Sequence, residues 1–152
     1  MSLPYAPGPR GPAKIPAAAI QRIVDVVCAE TESRPTVLLA IGDDALREES
    51  RRVLVRSLFT VVEQPSGELS ADGVEAAAPD AVLADVRTLD GWAAVRRLRE
   101  DSRADGVPVL GLVSAPREAD RRWAREFEVD CLVAVPFDPD GLLDLVERIT
   151  EG

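Results

Sequence analysis

From Pro35 to Ile149 the chain alternates five short apolar runs with five segments of helical periodicity, and this alternation restricts the fold more than any other feature. The runs are Thr36 to Ile41, Phe59 to Val62, Ala81 to Asp85, Val107 to Val113 and Val129 to Val135. Each is rich in Val, Leu or Ala and too short to be a helix. Continuous apolar runs of this kind read as strands buried on both faces, the pattern of a parallel sheet covered by crossover helices. Helices are expected near Ala45 to Ser57, Glu68 to Ala77, Gly91 to Asp101, Arg117 to Phe127 and Pro139 to Ile149. The first places Leu46, Ser50, Val53, Leu54 and Leu58 on one stripe, with Glu48 and Arg52 at a helpful i,i+4 spacing. The last turns Leu142, Leu145, Val146 and Ile149 inward. The second is the weakest pattern, because Asp72-Gly73 interrupts it and glycine costs about 1 kcal/mol in a helix interior. Right-handed crossovers then give an α/β, doubly wound domain with a five-stranded parallel sheet.

The chain ahead of this domain divides in two. Residues 1–16 comprise Met1-Ser2-Leu3, which looks like an expression scar, and the Pro/Gly-rich arm PYAPGPRGPAKIP, which cannot sustain a helix. Residues 17–34 hold Ile20, Ile23, Val24 and Val27 at three- and four-residue spacing, an extra N-terminal amphipathic helix that must cover something. Residues 35–150 form the α/β domain.

Composition removes whole classes of chemistry. No histidine occurs, and Lys14 is the one lysine among 18 basic residues. Ser-His-Asp and Cys-His nucleophiles, imidazole metal ligands and a P-loop lysine are therefore excluded. A formal net charge of -9 argues against nucleic acid or an anionic membrane as a direct partner of this domain, because phosphate binding needs a basic face. Cys28 and Cys131 are too far apart for a metal motif and too few for a disulfide framework, which makes a reduced cytoplasm the expected location.

In a sheet of this type the reactive groups gather beyond the carboxyl ends of the strands. Strand one ends in Ile41-Gly42 followed by Asp43-Asp44, strand three in Asp85, strand four in Val113-Ser114, and strand five in Val135-Pro136-Phe137. With PDAVLADV around Asp85, LREESRRVL in the first helix, VPVLGLVS as strand four and VAVPFDPDGLL leading into the last helix, the chain from Pro35 to Ile149 resembles the receiver domain of bacterial two-component response regulators. The resemblance implies a flavodoxin-like (βα)5 receiver fold and a place in phosphorelay signal transduction.

In that family an aspartate at the end of strand three takes a phosphoryl group, helped by Mg2+ on acidic residues after strand one, by a Thr or Ser after strand four and by a Lys before a cis proline. Carried over residue by residue, Asp85 stands at the phosphoacceptor position, and the bland alternative is that it is a turn or capping aspartate. The acidic metal positions fall on Ile41 and Gly42, the hydroxyl position on Val113 with Ser114 next to it, the lysine position on Val135, and the cis proline on Pro136. The aromatic switch position is Leu132, and the segment from Asp85 to Gly91 is about two residues shorter than the family's.

The resemblance with these losses implies a degenerate, or pseudo, receiver: a non-enzymatic, cytoplasmic signalling module without a cofactor, acting through a protein partner or a homodimer contact. The expected surface is the fourth helix, strand five and the last helix, where Arg117, Arg121, Arg122 and Arg125 alternate with Glu118, Asp120 and Glu126 in what also reads as a solvated face. A second reading is a genuine receiver in which Asp43 or Asp44 supplies the Mg2+ site and Ser114 the hydroxyl, although both aspartates are also natural N-caps. A third is a small-ligand domain using the same crevice, for which no glycine-rich phosphate loop is present.

Overall fold

The apolar runs and periodic segments form eleven elements in a computed structural model, which describes residues 34–64 and 68–151. Five strands, β1 (Thr36–Ala40), β2 (Thr60–Gln64), β3 (Ala81–Asp85), β4 (Val109–Val113) and β5 (Cys131–Ala134), make one sheet in the order β2-β1-β3-β4-β5, every neighbouring pair parallel. They alternate with helices α1 (Asp44–Arg56), α2 (Ala71–Ala77), α3 (Leu89–Arg99), α4 (Glu118–Glu126) and α5 (Pro139–Glu151), and a short 3-10 turn at Ser102–Ala104 precedes β4. The α/β doubly wound class expected from the sequence is the one observed. The expected N-terminal helix and Pro/Gly-rich arm, with Lys14 and Cys28, lie outside the described residues.

The period-2 geometry of the strands sorts the core into two layers. Leu38, Ala40, Val82, Ala84, Val109 and Val113 face Val74 of α2, Trp92, Val95 and Leu98 of α3 and Ala124 of α4. Val37, Leu39, Ile41, Leu83, Leu110 and Leu112 face Leu46, Val53 and Leu54 of α1 and Leu142 and Val146 of α5. Every residue of β3 and β4 is buried.

Two expected strands begin two residues late, for reasons visible in the backbone, and β2 runs from Thr60 to Gln64 where Phe59 to Val62 was expected. Pro108 has no N–H to give a ladder, and the Val109 N–H that opens β4 donates to the Asp130 carboxylate at 2.9 Å. The Val129 N–H turns back to the carbonyl of Ala124, closing α4, so β5 starts at Cys131 rather than Val129.

Helix α1 corrects one expectation. Leu46, Ser50, Val53 and Leu54 are buried, but Leu58 is 60% exposed. Its φ of 71° places it in the left-handed region, where Leu58 N–H donates to Val55 O and Phe59 N–H to Leu54 O, a Schellman close. The helix stops before Leu58 can join the stripe, and the buried Phe59 takes its place. Glu128, at φ 56°, closes α4 in the same way. On α5, Leu142 and Val146 are fully inward, whereas Leu145 and Ile149 are only partly buried against the same layer.

The helix starts bring side chains to the carboxyl edge. Asp43 caps α1 by accepting the Leu46 N–H at 2.9 Å, and Thr88 caps α3 through Gly91 N–H at 3.4 Å. Gly91 is required by close approach, since a Cβ there would fall 2.1 Å from the Asp85 carbonyl oxygen. The short connection between β3 and α3 presses the first turn of the helix onto the end of the strand.

Candidate functional site

Ladder bonds align the strand ends at the crevice. Val86 N–H continues the β3 ladder to Leu112 O at 3.0 Å, and Val135 N–H continues β5 to Val113 O at 2.7 Å. Asp85 is thereby held at the edge of the sheet, with its side chain 11% exposed.

Its carboxylate is engaged from within its own loop. The Arg87 guanidinium donates from Nε to Oδ1 at 2.8 Å and from Nη2 to Oδ2 at 2.9 Å, and the Arg87 backbone N–H adds a bond to Oδ1 at 3.1 Å. Both oxygens are bridged by one planar fork, the strongest ordinary form of carboxylate recognition. The backbone bond is also an Asx turn, so Asp85 carries the turn role weighed for it from the sequence. Arg87 Nη2 lies 3.6 Å from Asp43 Oδ2 and so stands between two carboxylates. These partners, first the hydrogen bonds to Asp85, raise the Arg87 pKa above its ordinary value against the opposing effect of burial. Asp43 is held below the usual carboxylate range, chiefly by the Leu46 N–H it caps, and also by Arg87.

The remaining positions fall into place around this pair. Ile41 is fully buried in the α1/α5 layer, and its carbonyl accepts from Arg47 Nη1 at 3.0 Å. Gly42 has no side chain to offer. Asp43 is the N-cap of α1, while Asp44 is highly exposed and paired with Arg47. Val113 is buried and Ser114 exposed, and both line a crevice of about 320 Å3 with Val86, Arg87, Arg117 and Asp120. Val135 is half-buried, and the Val135-Pro136 peptide is cis. Leu132 packs against the α2–α4 layer.

A Mg2+ ion, which the resemblance implies, does not fit these residues. Neither Ile41 nor Gly42 supplies a side-chain oxygen, both Asp85 oxygens are bridged by a guanidinium, and one Asp43 oxygen caps a helix. Among the described residues no three Cys, Asp or Glu side chains cluster as a metal site.

Asp120 overturns an expectation. In the sequence it belongs to the alternating charges of the fourth helix, but it is only 3% exposed. One oxygen accepts from the Trp92 indole N–H at 3.1 Å, and the other from the Arg117 backbone N–H at 3.0 Å. Burial pushes its pKa up, but the hydrogen bonds from Arg117 and Trp92 outweigh it and hold the carboxyl below the usual range. Trp92 stacks at a tilt on Trp123 and Phe127, with centroids 5.6 and 6.3 Å away. The signal for this site in the sequence was an Asp three residues after Arg117, at the N3 position of a helix, where a carboxylate reaches back to cap.

No family model matches the chain. It is 28% identical over 121 residues to the response regulator Rre1 of Synechocystis, covering 77% of this chain and 52% of that protein. Over 118 residues it is 35% identical to the response regulator MprA of Mycobacterium sp. strain KMS, covering 72% of this chain and 48% of that one. The chain therefore spans about half the length of these relatives. Among solved structures, the chemotaxis response regulator CheY4 of Vibrio cholerae superposes with a TM-score of 0.69 at 19% identity, over 77% of this chain and 99% of that one. The receiver domain of a sensor histidine kinase from Pseudomonas aeruginosa, which holds a magnesium ion in its active-site cleft, gives 0.65 at 24% identity over 79% and 100%. With the sheet order and the aspartate closing β3, these likenesses make the domain from Pro35 onward a response-regulator receiver domain of the CheY-like type.

Proposed function

We propose that this receiver domain signals through protein contacts, without phosphorylation of Asp85, without a cofactor and without catalysing a reaction of its own. The observation that supports this reading is the absence of a charged or hydroxyl side chain at the positions that would assist Asp85: Ile41 and Gly42 at the metal positions, Val113 at the hydroxyl position and Val135 at the lysine position. A carboxylate is an ordinary nucleophile, so acyl phosphate formation depends on groups that neutralise charge developing on the phosphoryl oxygens. Loss of one such donor typically costs about 10²- to 10³-fold in rate, and here the metal ligands and the lysine position are changed together. Asp85 remains as a structural acid that turns the chain between β3 and α3.

The contact surface in this reading is α4, β5 and α5, which presents the exposed Arg121, Arg122 and Arg125 to a protein partner or a second copy. The setting is the bacterial cytoplasm. Among the described residues no helix is long and apolar enough to cross a membrane. Incubation of the full chain with Mg2+ and a small phosphodonor such as acetyl phosphate, followed by intact-mass measurement, tests the reading. No phosphoryl adduct is expected. A stoichiometric adduct that disappears in Asp85→Ala overturns it.

A further inference from the structure

We infer that Arg87 is a built-in counter-cation of the crevice, held on Asp85 with Asp43 at its other side and taking the charge-neutralising part that a divalent ion plays beside the acceptor aspartate in receivers that bind one. The inference rests on the placement of Asp85 used above and extends it to the electrostatics of the site.

Three features of the geometry carry it. The guanidinium takes both Asp85 oxygens at 2.8 and 2.9 Å, leaving its Nη2 also within 3.6 Å of Asp43. Arg87 is two residues from its partner and its own N–H is bonded to the same carboxylate, so little chain freedom is lost in closing the fork. The arginine side chain is 27% exposed and the aspartate 11%, which removes part of the solvent screening that weakens surface pairs.

A dication entering this arrangement would meet one positive group already lodged between its two carboxylates. It would have to displace a bidentate fork, and Ile41 and Gly42 would contribute no side-chain oxygen in return. Magnesium demands near-octahedral oxygen ligation and dehydrates reluctantly, so such a trade is unfavourable. The domain therefore keeps one charge arrangement at the end of β3 whether or not divalent cations are present. The cation that receivers take from solvent is here encoded in the chain.

Mn2+ as a paramagnetic probe tests this by selective broadening of backbone amide signals in the full chain. Wild type is expected to show no broadening confined to residues 42–44 and 85–88 up to about 10 mM Mn2+, a range that fills even weak carboxylate sites. Arg87→Ala takes the guanidinium away from both carboxylates and is expected to show such broadening, reversed by excess Mg2+. Arg87→Gln, which keeps the length of the side chain without its charge, serves the same purpose if the alanine variant folds poorly. Selective broadening in wild type overturns the inference, as does its absence in both folded variants. The two readings fail separately. A wild type that excludes Mn2+ yet forms acyl phosphate on Asp85 sinks only the proposed function. One that binds Mn2+ at Asp85 and forms no acyl phosphate sinks only this inference.

Discussion

Asp120 offers the most demanding test of how the crevice is held together. Replacing it with alanine strands two donors in a nearly dry site: the Trp92 indole N–H, 3.1 Å from one oxygen, and the Arg117 backbone N–H, 3.0 Å from the other. A buried donor left without a partner costs about 1 to 3 kcal/mol. The Arg117 guanidinium, at 3.4 Å and on a side chain 72% exposed, adds little because solvent screens it. Removing the carboxylate also returns its desolvation penalty, so the sum is trimmed, and a loss of about 3 kcal/mol is expected. At a urea m-value of about 1.5 kcal/mol/M this moves the unfolding midpoint by about 2 M with m unchanged. Far-UV circular dichroism should report it alongside fluorescence, because both tryptophans of the chain sit beside the mutation. Asp120→Asn, which retains one acceptor, should lose about half as much. A double-mutant cycle with Trp92→Phe isolates the bond across the two helices and should return a coupling of about 1 to 2 kcal/mol. A midpoint shift below about 0.5 M, or a coupling below about 0.5 kcal/mol, would show that the carboxylate does not hold α3 to α4.

Two further outcomes are expected. Leu58→Gly removes a side chain that is 60% exposed and held at a left-handed φ of 71°, so it should stabilise the domain by about 0.5 to 1 kcal/mol after the added unfolded-state entropy is deducted; a destabilised variant in urea unfolding would contradict this. Stability should be flat from about pH 8 to pH 5, since the chain has no histidine, and should fall below about pH 4. Asp43 and Asp120 have folded-state values below their unfolded ones, and Asp101 is lowered to about 2 by Arg103; their contribution is complete above the unfolded value and disappears as pH falls through the folded ones. Urea midpoints across this range, at about 0.2 M salt to screen the net charge, check it, and a step near pH 6 to 7 would refute it.

The sheet was legible because its inner strands β1, β3 and β4 are buried along almost their whole length, and a doubly wound layer arrangement hides such runs, with β2 and β5 left as the more exposed edges. Its strand ends were less so, because they depend on competing partners: the Asp130 carboxylate takes the first N–H of β4, and the Schellman close of α4 takes that of Val129. Asp85 stood out at the end of β3, whereas Arg87 did not. A guanidinium two residues downstream has meaning only once the turn folds it back onto the carboxylate. Asp120 was hidden by its neighbours, since Arg117, Glu118, Arg121 and Arg122 around it are exposed and give the helix the charge pattern of a solvated face. Only the docking of Trp92 against α4 shows that one charge in that run faces inward.

The strand order has a consequence for synthesis of the chain. β1 emerges second from the edge and gains its inner neighbour only when β3 appears, and β3 in turn waits for β4. A nascent or proteolysed chain ending after α3 would leave β3, a wholly buried AVLAD segment, as an unprotected sheet edge. Such fragments present an open, apolar template for pairing with another chain, and protection comes only with the last two βα units.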